Sequence, residues 1–277
     1  MGVPRTLALV ALAALALLTV ALFAARRSWR IAVEALHGEV TSAGEPTTRL
    51  PAGALPATVA RYLARAAPDS ARPMRTARLR QEGTFQMGEG ENGWRPFTAD
   101  EVFRVSPPAF YWDARISVAP GISVRVRDSY VGGSARMVGK VAGLFTVVDE
   151  PDSPQLANGA LARYLAESVW FPTRLGVGPG LTWSAIDDSS AMATLTDGDA
   201  SASLTFTFDP QGDPVRVEGQ RDRAIDGGFA KTLWIGTFSE HAEVNGLRIP
   251  LYGEVGWMID GELVPYWRGR IQAAEYR

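Results

Sequence analysis

From Arg75 onward, in two blocks, apolar and polar side chains exchange places at every second residue, a period that suits strands with one buried face. Ile122, Val124 and Val126 alternate with Ser123, Arg125 and Arg127. Ala202, Leu204, Phe206 and Phe208 alternate with Ser203, Thr205 and Thr207, and Val215 and Val217 with Arg216 and Glu218. Turn signals separate the runs: Gly132-Gly133, Asp197-Gly198, Asp209-Pro210-Gln211-Gly212, Asp226-Gly227-Gly228, Asn245-Gly246 and Asp260-Gly261. Asn-Gly and Asp-Gly supply the positive φ that tight hairpins need. About ten or eleven strands are predicted in this way, in two blocks over residues 75–148 and 181–274. A helix between the blocks begins after Asp152-Ser153-Pro154, with Ser153 as N-cap and Pro154 in the first turn, and ends near Trp170 before Phe171-Pro172. One helix cannot alternate with this many strands as a parallel α/β fold requires. The expected class is mainly β (α+β), a curved antiparallel meander resembling a half-barrel, with a few helices on one face.

Before the alternation lies a different pattern. Leu7 to Ala25 is an uninterrupted apolar run, just long enough as a helix to cross a hydrocarbon layer of about 30 Å. It is longer than the usual core of a secretory signal, and Thr19-Val20-Ala21 is a poor cleavage site, so a retained single-pass anchor in the cell membrane is expected. Arg26, Arg27 and Arg30 follow the run and Arg5 precedes it. That excess points to a cytoplasmic C-terminal part, but it is small, and both topologies stay open. Residues 1–36 read as anchor and extension. Residues 37–54, punctuated by His37-Gly38, Gly44, Pro46, Pro51 and Gly53, read as a linker. Residues 55–277 then form a single antiparallel β domain with helices near 55–67 and 153–170. In the first of these, Leu55, Val59, Tyr62 and Leu63 stand at helical spacing before Pro68.

Composition removes whole classes of chemistry. The chain has no cysteine, which rules out disulfides, thiolate metal sites and a cysteine nucleophile. Its 28 basic and 30 acidic residues nearly cancel, so the field that gathers nucleic acid is missing. Arginine far outnumbers lysine, as codon bias in a GC-rich genome would produce. Gly176-Val177-Gly178-Pro179-Gly180 is glycine-rich but lacks the Lys-Ser/Thr pair of a phosphate loop. Of the two histidines, His37 falls in the linker and His241 has no Gly-x-Ser-x-Gly nucleophile to serve. The acidic groups at Asp149, Glu150 and Asp152, at Asp187-Asp188, and at Asp197 and Asp199 match no calcium loop and read as turn formers. No metal, no cofactor and no catalytic residue is assigned.

The chain is rich in clustered aromatic residues, including Phe110-Tyr111-Trp112, Trp170-Phe171 and Tyr266-Trp267. These build either a thick core or an apolar cavity on the concave side of a curved sheet. Arg163 and Glu167, spaced i,i+4, are either a surface pair or a polar contact for a ligand head group.

Several stretches together resemble an uncharacterised bacterial family, often membrane-anchored, known as a domain of unknown function. They are Leu55-Pro56 with Arg61-Tyr62-Leu63, Trp94-Arg95-Pro96-Phe97-Thr98-Ala99, Pro107 to Ala114, Asp128-Ser129-Tyr130, Arg163 to Glu167 with Trp170-Phe171-Pro172, and Tyr266-Trp267-Arg268-Gly269. The resemblance covers residues 55–277 and carries no catalytic residues. The segment Arg174–Gly180 is richer in glycine than that family's usual segment. His241 stands where the family more often has an aromatic, which weakens any role for either. The order helix, strand block, helix, strand block is more distantly similar to the lipoprotein-carrier (LolA-like) fold, an open half-barrel closed by helices around a lipid-sized cavity. Architecture alone implies no function.

Three functions remain. The first is a membrane-tethered module that binds a lipid or other apolar small molecule, with Trp112, Tyr130, Trp170 and Phe171 lining its pocket and Arg163 and Glu167 at the head group. Its partners are then the membrane, through the N-terminal helix, and that ligand, with no nucleic acid. The second is a hydrolase using carboxylates drawn from Asp128, Glu167 and Asp187. The third is a structural or interaction module with a solid core.

Overall fold

The computed structural model describes residues 3–42, 49–68, 74–88 and 90–277. Helix α1 (Val3–Thr41) is followed by α2 (Ala57–Ala66), and the alternating segments then form thirteen strands broken once by α3 (Pro154–Glu167). The first block holds β1 (Thr76–Gln86), β2 (Trp94–Arg104), β3 (Ala109–Ala119), β4 (Ile122–Val131), β5 (Ser134–Val141) and β6 (Phe145–Glu150). The second holds β7 (Leu181–Ala185), β8 (Ser190–Asp197), β9 (Ala200–Phe208), β10 (Pro214–Ile225), β11 (Gly228–Val244), β12 (Leu247–Ile259) and β13 (Glu262–Tyr276). The count exceeds the expected ten or eleven because edge strands such as β6, exposed on both faces, carry no alternation.

All thirteen strands form one antiparallel sheet, curled as a half-barrel, in the order β6-β5-β4-β3-β2-β1-β13-β12-β11-β10-β9-β8-β7. Each block is a meander, and the pairing of β1 with β13 joins them, from Ala77 opposite Tyr276 to Phe85 opposite Trp267. The turn signals read from the sequence fall between consecutive strands. Asn245 and Asp260 adopt positive φ beside Gly246 and Gly261, as tight two-residue hairpins require.

Alternation sorts the side chains by face. Leu79, Phe97, Phe103, Phe110, Ile116 and Tyr130 point to the concave side and are buried there. Helix α3 packs over β4, β5, β8, β9 and β10, and α2 over β8 and β12. Ser153 caps α3 by accepting from Leu156 N at 3.2 Å, with Pro154 in the first turn, as the sequence predicts. Two short 3-10 turns, Ser168–Trp170 and Pro172–Gly176, continue α3 into the interior. There Phe171 stacks on Phe103 with ring centroids 4.5 Å apart.

Helix α1 does not end near residue 36 but runs through His37 and Gly38 to Thr41; part of the stretch read as a linker, residues 43–48, lies outside the described residues. Its second half packs on the convex face of β2, β3 and β4. Trp29 is buried, donates to Asp113 Oδ1 at 2.8 Å and stacks under Arg127, 5.0 Å from its ring. Val40 is buried with Val102, Ala109 and Tyr111. His37 Nδ1 lies 3.1 Å from the Tyr111 hydroxyl, so this histidine belongs to a helix interface. The first half of α1 is exposed, and Leu7–Thr41 is long and apolar enough to cross a membrane, a test that a signal sequence near the N-terminus also passes.

Candidate functional site

The polar residues that break the apolar phase of the strands converge on one point beneath α3. Gln81 on β1, Glu101 on β2 and Asp128 on β4 all occupy inward positions and are buried. Arg163 comes down from α3 and fills the space between them. It donates to Glu101 Oε1 at 2.7 Å, to Asp128 Oδ2 at 2.8 Å and to Glu167 Oε1 at 3.0 Å. Gln81 bridges outward, giving its amide to Glu101 at 2.7 Å and accepting from Trp112 Nε1 at 2.9 Å. The guanidinium also lies 5.1 Å from the Trp112 ring and 5.2 Å from Phe110. The Arg163–Glu167 pair is therefore neither a surface pair nor an isolated one: it is the hub of a buried cluster.

Burial moves the carboxyls in the same direction. Glu101 is pushed well above the usual carboxylate range by burial and then by the neighbouring Glu167 charge, with Arg163 opposing. Burial likewise raises Glu167 and Asp128 against the pull of Arg163. Glu167 Oε2 is buried without a donor, and a proton held between Glu101 and Glu167 would supply one, since the two carboxyls are hydrogen-bonding neighbours. With that proton in place, the three carboxyls would balance the two nearby guanidiniums of Arg163 and Arg221.

Arg221 extends the cluster toward solvent. It projects from β10 and donates to Gly159 O on α3 at 2.7 Å. Its guanidinium covers Trp234 at 4.7 Å and Trp257 at 5.7 Å, and its Nε is buried with no partner. Burial, together with the Arg163 charge, lowers its pKa. The strands beside it part: β9 pairs with β10 only from Phe208 to Thr205, whereas β10 follows β11 through Ile225. The gap is a cleft of about 350 Å³ lined by Asn158 and Gly159 of α3, Ser201 and Ser203 of β9, and Arg221 and Asp222 of β10.

An aromatic wall leads away from Arg221 along the concave face. Trp257 stacks on Tyr266 at 6.2 Å, Tyr266 meets Phe85 edge-on at 6.1 Å, and Phe85 reaches Trp112 at 6.4 Å. Trp234 Nε1 donates to the Tyr266 hydroxyl at 2.9 Å. The register between β12 and β13 shifts between Val255 and Gly256; such a bulge re-aims a side chain, and both Tyr266 and Trp267 reach the interior aromatic groups. Phe85, Trp257 and Tyr266 remain half-buried.

Of the expected pocket residues, Trp112 backs this wall, and Arg163 and Glu167 lie in the cluster. Tyr130, Trp170 and Phe171 are packed in the core instead: the 3-10 turns draw Trp170 and Phe171 inward, with Trp170 Nε1 donating to Pro250 O at 3.1 Å, and Tyr130 points inward from β4, its hydroxyl donating to Asp197 at 2.8 Å. Asp128 and Glu167 meet, whereas Asp187 stands apart at an exposed turn, its pKa lowered by the Ser189 amide and neighbouring serines. The glycine-rich segment turns its Val177 and Pro179 carbonyls onto the buried Arg174, at 2.6 and 3.3 Å, the opposite polarity to an anion cradle. His241 Nε2 faces the Pro214 carbonyl at 3.0 Å. Among the described residues, no group of three or more His, Asp or Glu side chains could hold a metal ion. A second, more apolar cleft of about 400 Å³ runs between α2 and the Pro172–Gly176 turn, lined by Leu55, Leu63 and Val177 among others.

A family model described as a family of unknown function, DUF6920, matches residues 53–276. No curated protein matches the chain. Among solved structures it is similar to the crystal structure of LolA superfamily protein NE2245 from Nitrosomonas europaea, with a TM-score of 0.41 and 11% identity over 79% of this chain and 92% of that one.

Proposed function

The chain belongs to the DUF6920 family, and we propose that it is a membrane-tethered module that binds a lipid or a similar amphiphile. The apolar tail lies along Phe85, Tyr266 and Trp257, and the polar group sits at Arg221. The observation that carries this reading is the pairing of a half-buried aromatic wall with a half-buried cation, Arg221, whose Nε is buried without a partner. Pockets for small molecules combine apolar lining with a few placed polar groups in this way. Stability alone is a weak reason for the charge cluster, since replacing buried ion pairs by apolar residues is often neutral or stabilising. The apolar half of α1 supports the tether.

The test uses the full chain in lipid nanodiscs doped with a diazirine-bearing fatty acid. Illumination is expected to label peptides containing Phe85, Trp257 or Tyr266, and Arg221→Gln is expected to cut that labelling several-fold. Labelling confined to α1 overturns the reading.

One observation favours a second reading, a carboxylate hydrolase: Glu101, Asp128 and Glu167 meet with raised pKa values, as an acid–base pair requires. Arg163 holds an oxygen of each, an arrangement better suited to fixing α3 on the sheet than to proton transfer. Ester or glycoside turnover that vanishes in Glu167→Gln while lipid labelling persists favours the hydrolase.

A further inference from the structure

We propose that the end of the half-barrel bearing the β3–β4 and β5–β6 turns lies in the surface layer of the bilayer that holds the first half of α1. This rests on the reading of α1 as a membrane span. The height of the rim is fixed by one contact. A methyl group placed on Gly143, in the β5–β6 turn, would sit 3.7 Å from the Cβ of Ala25, and Ala25 closes the apolar run. Leu22 and Ala25 are half-buried on the helical face that continues to the buried Trp29, so the protein reaches α1 inside the apolar segment.

What the rim exposes suits that position. Phe145 is 68% exposed, Val147 55% and Ile122 46%, and the backbone joins the two turns, Ala142 N donating to Ser123 O at 2.9 Å. Scattered apolar residues on a surface need no explanation, but a cluster does. Phe145 follows Gly143 by two residues, within about 7 Å of the level of Ala25 at the rise of a strand. The layer between hydrocarbon and water is about 5–7 Å deep on each side. Arg26 and Arg27 come next on α1 and are exposed, where lipid phosphates would meet them.

Sheet register extends the pattern. Antiparallel pairing carries the turns after β10 and β12 to the same strand end, and Phe229, Leu263 and Val264 are exposed there. At the opposite strand end, the turns at residues 105–108, 132–133 and 245–246 bear no exposed large apolar side chain among the described residues, whereas Ile186 in the β7–β8 turn is 54% exposed. Among the strands on which α1 packs and their neighbours β5 and β6, the apolar tips lie at the end from which α1 enters the membrane.

The absence of cysteine lets single probes be placed on the full chain in phosphatidylcholine–phosphatidylglycerol vesicles. An environment-sensitive NBD label is attached in turn at Phe145→Cys, at Ser134→Cys on the far end of β5, and at Leu15→Cys within the apolar run. The expected result is blue-shifted emission, quenched several-fold by doxyl lipid, at Leu15 and Phe145, with water-like, unquenched emission at Ser134. Quenching at Leu15 without quenching at Phe145 overturns this proposal and leaves the anchor standing. A blue shift at Phe145 that doxyl lipid does not quench overturns it in favour of a protein partner on the β6 edge. No quenching at Leu15 overturns the anchor and, with it, the rim.

Discussion

Glu101 holds the position in this chain that water would least permit. Its carboxyl is fully buried, takes the Arg163 guanidinium on one oxygen and the Gln81 amide on the other, and shares its surroundings with Glu167. A carboxyl raised in the folded state keeps a proton that the unfolded chain has released. Its contribution to stability is therefore complete below the ordinary value of 4.5 and is lost as pH rises toward the folded value. Asp128 and Glu167, also raised, act with the same sign. The thermal unfolding midpoint of the full chain in detergent is expected to fall as pH climbs from about 5 to 8. Glu101→Gln, which mimics the protonated acid, is expected to flatten that fall and to exceed the wild type at pH 8, each kcal/mol recovered raising Tm by about 2–4 °C in a chain of this size. Equal slopes would show that Glu101 is ionised in the folded chain. The cluster was half legible in the sequence: Asp128 follows Val124 and Val126 at the same phase of its strand, and a polar residue at an apolar position is a signal. Arg221 and Gln81 carried the same signal. Their convergence with Arg163 was not legible, because it depends on strand pairings distant in sequence.

At the scale of the element, α1 joins two environments with one helix. His37 and Gly38 look like punctuation, yet the helix continues through them because Val33, Leu36 and Val40 meet Val102, Ala109 and Tyr111 and Trp29 meets Asp113, and packing overrides local propensity. The hairpins and the capped α3 were legible because their signals are local: Asn-Gly and Asp-Gly turns, and Ser153 before Pro154. The docking of α1 depends on Asp113 and Tyr111, far away in sequence. Trp29→Ala removes the hydrogen bond to Asp113 and the stacking under Arg127, a loss of about 2 kcal/mol. Hydrogen exchange of amides in residues 30–41 is expected to quicken roughly thirtyfold, with the sheet unaffected. Unchanged exchange in that segment would mean that the aliphatic contacts alone hold the helix.

For the molecule as a whole, the strand order places the first and last strands at the centre of the sheet, where β1 pairs β13, and leaves β6 and β7 at its edges. No local pattern reports that closure, although each meander was readable. Closure gives the half-barrel an aromatic wall on its concave face, and α1 holds the β5–β6 turn at the height of Ala25. If α1 acts as a rigid ruler, its length sets how deeply the turns lie. Four alanines inserted between Ala25 and Arg26 lengthen a helix by about 6 Å and lift the rim out of a surface layer of similar depth, while the contacts of Trp29 and Val40 move with the sheet and persist. The expected outcome is an unchanged Tm, with much weaker doxyl quenching at a label on Phe145→Cys and weaker lipid labelling at Tyr266. Replacing the four alanines by a flexible Gly-Ser segment separates two causes. Quenching restored by the flexible segment means that the turns find the bilayer through their own apolar surface, whereas quenching lost with both insertions means that α1 holds them there.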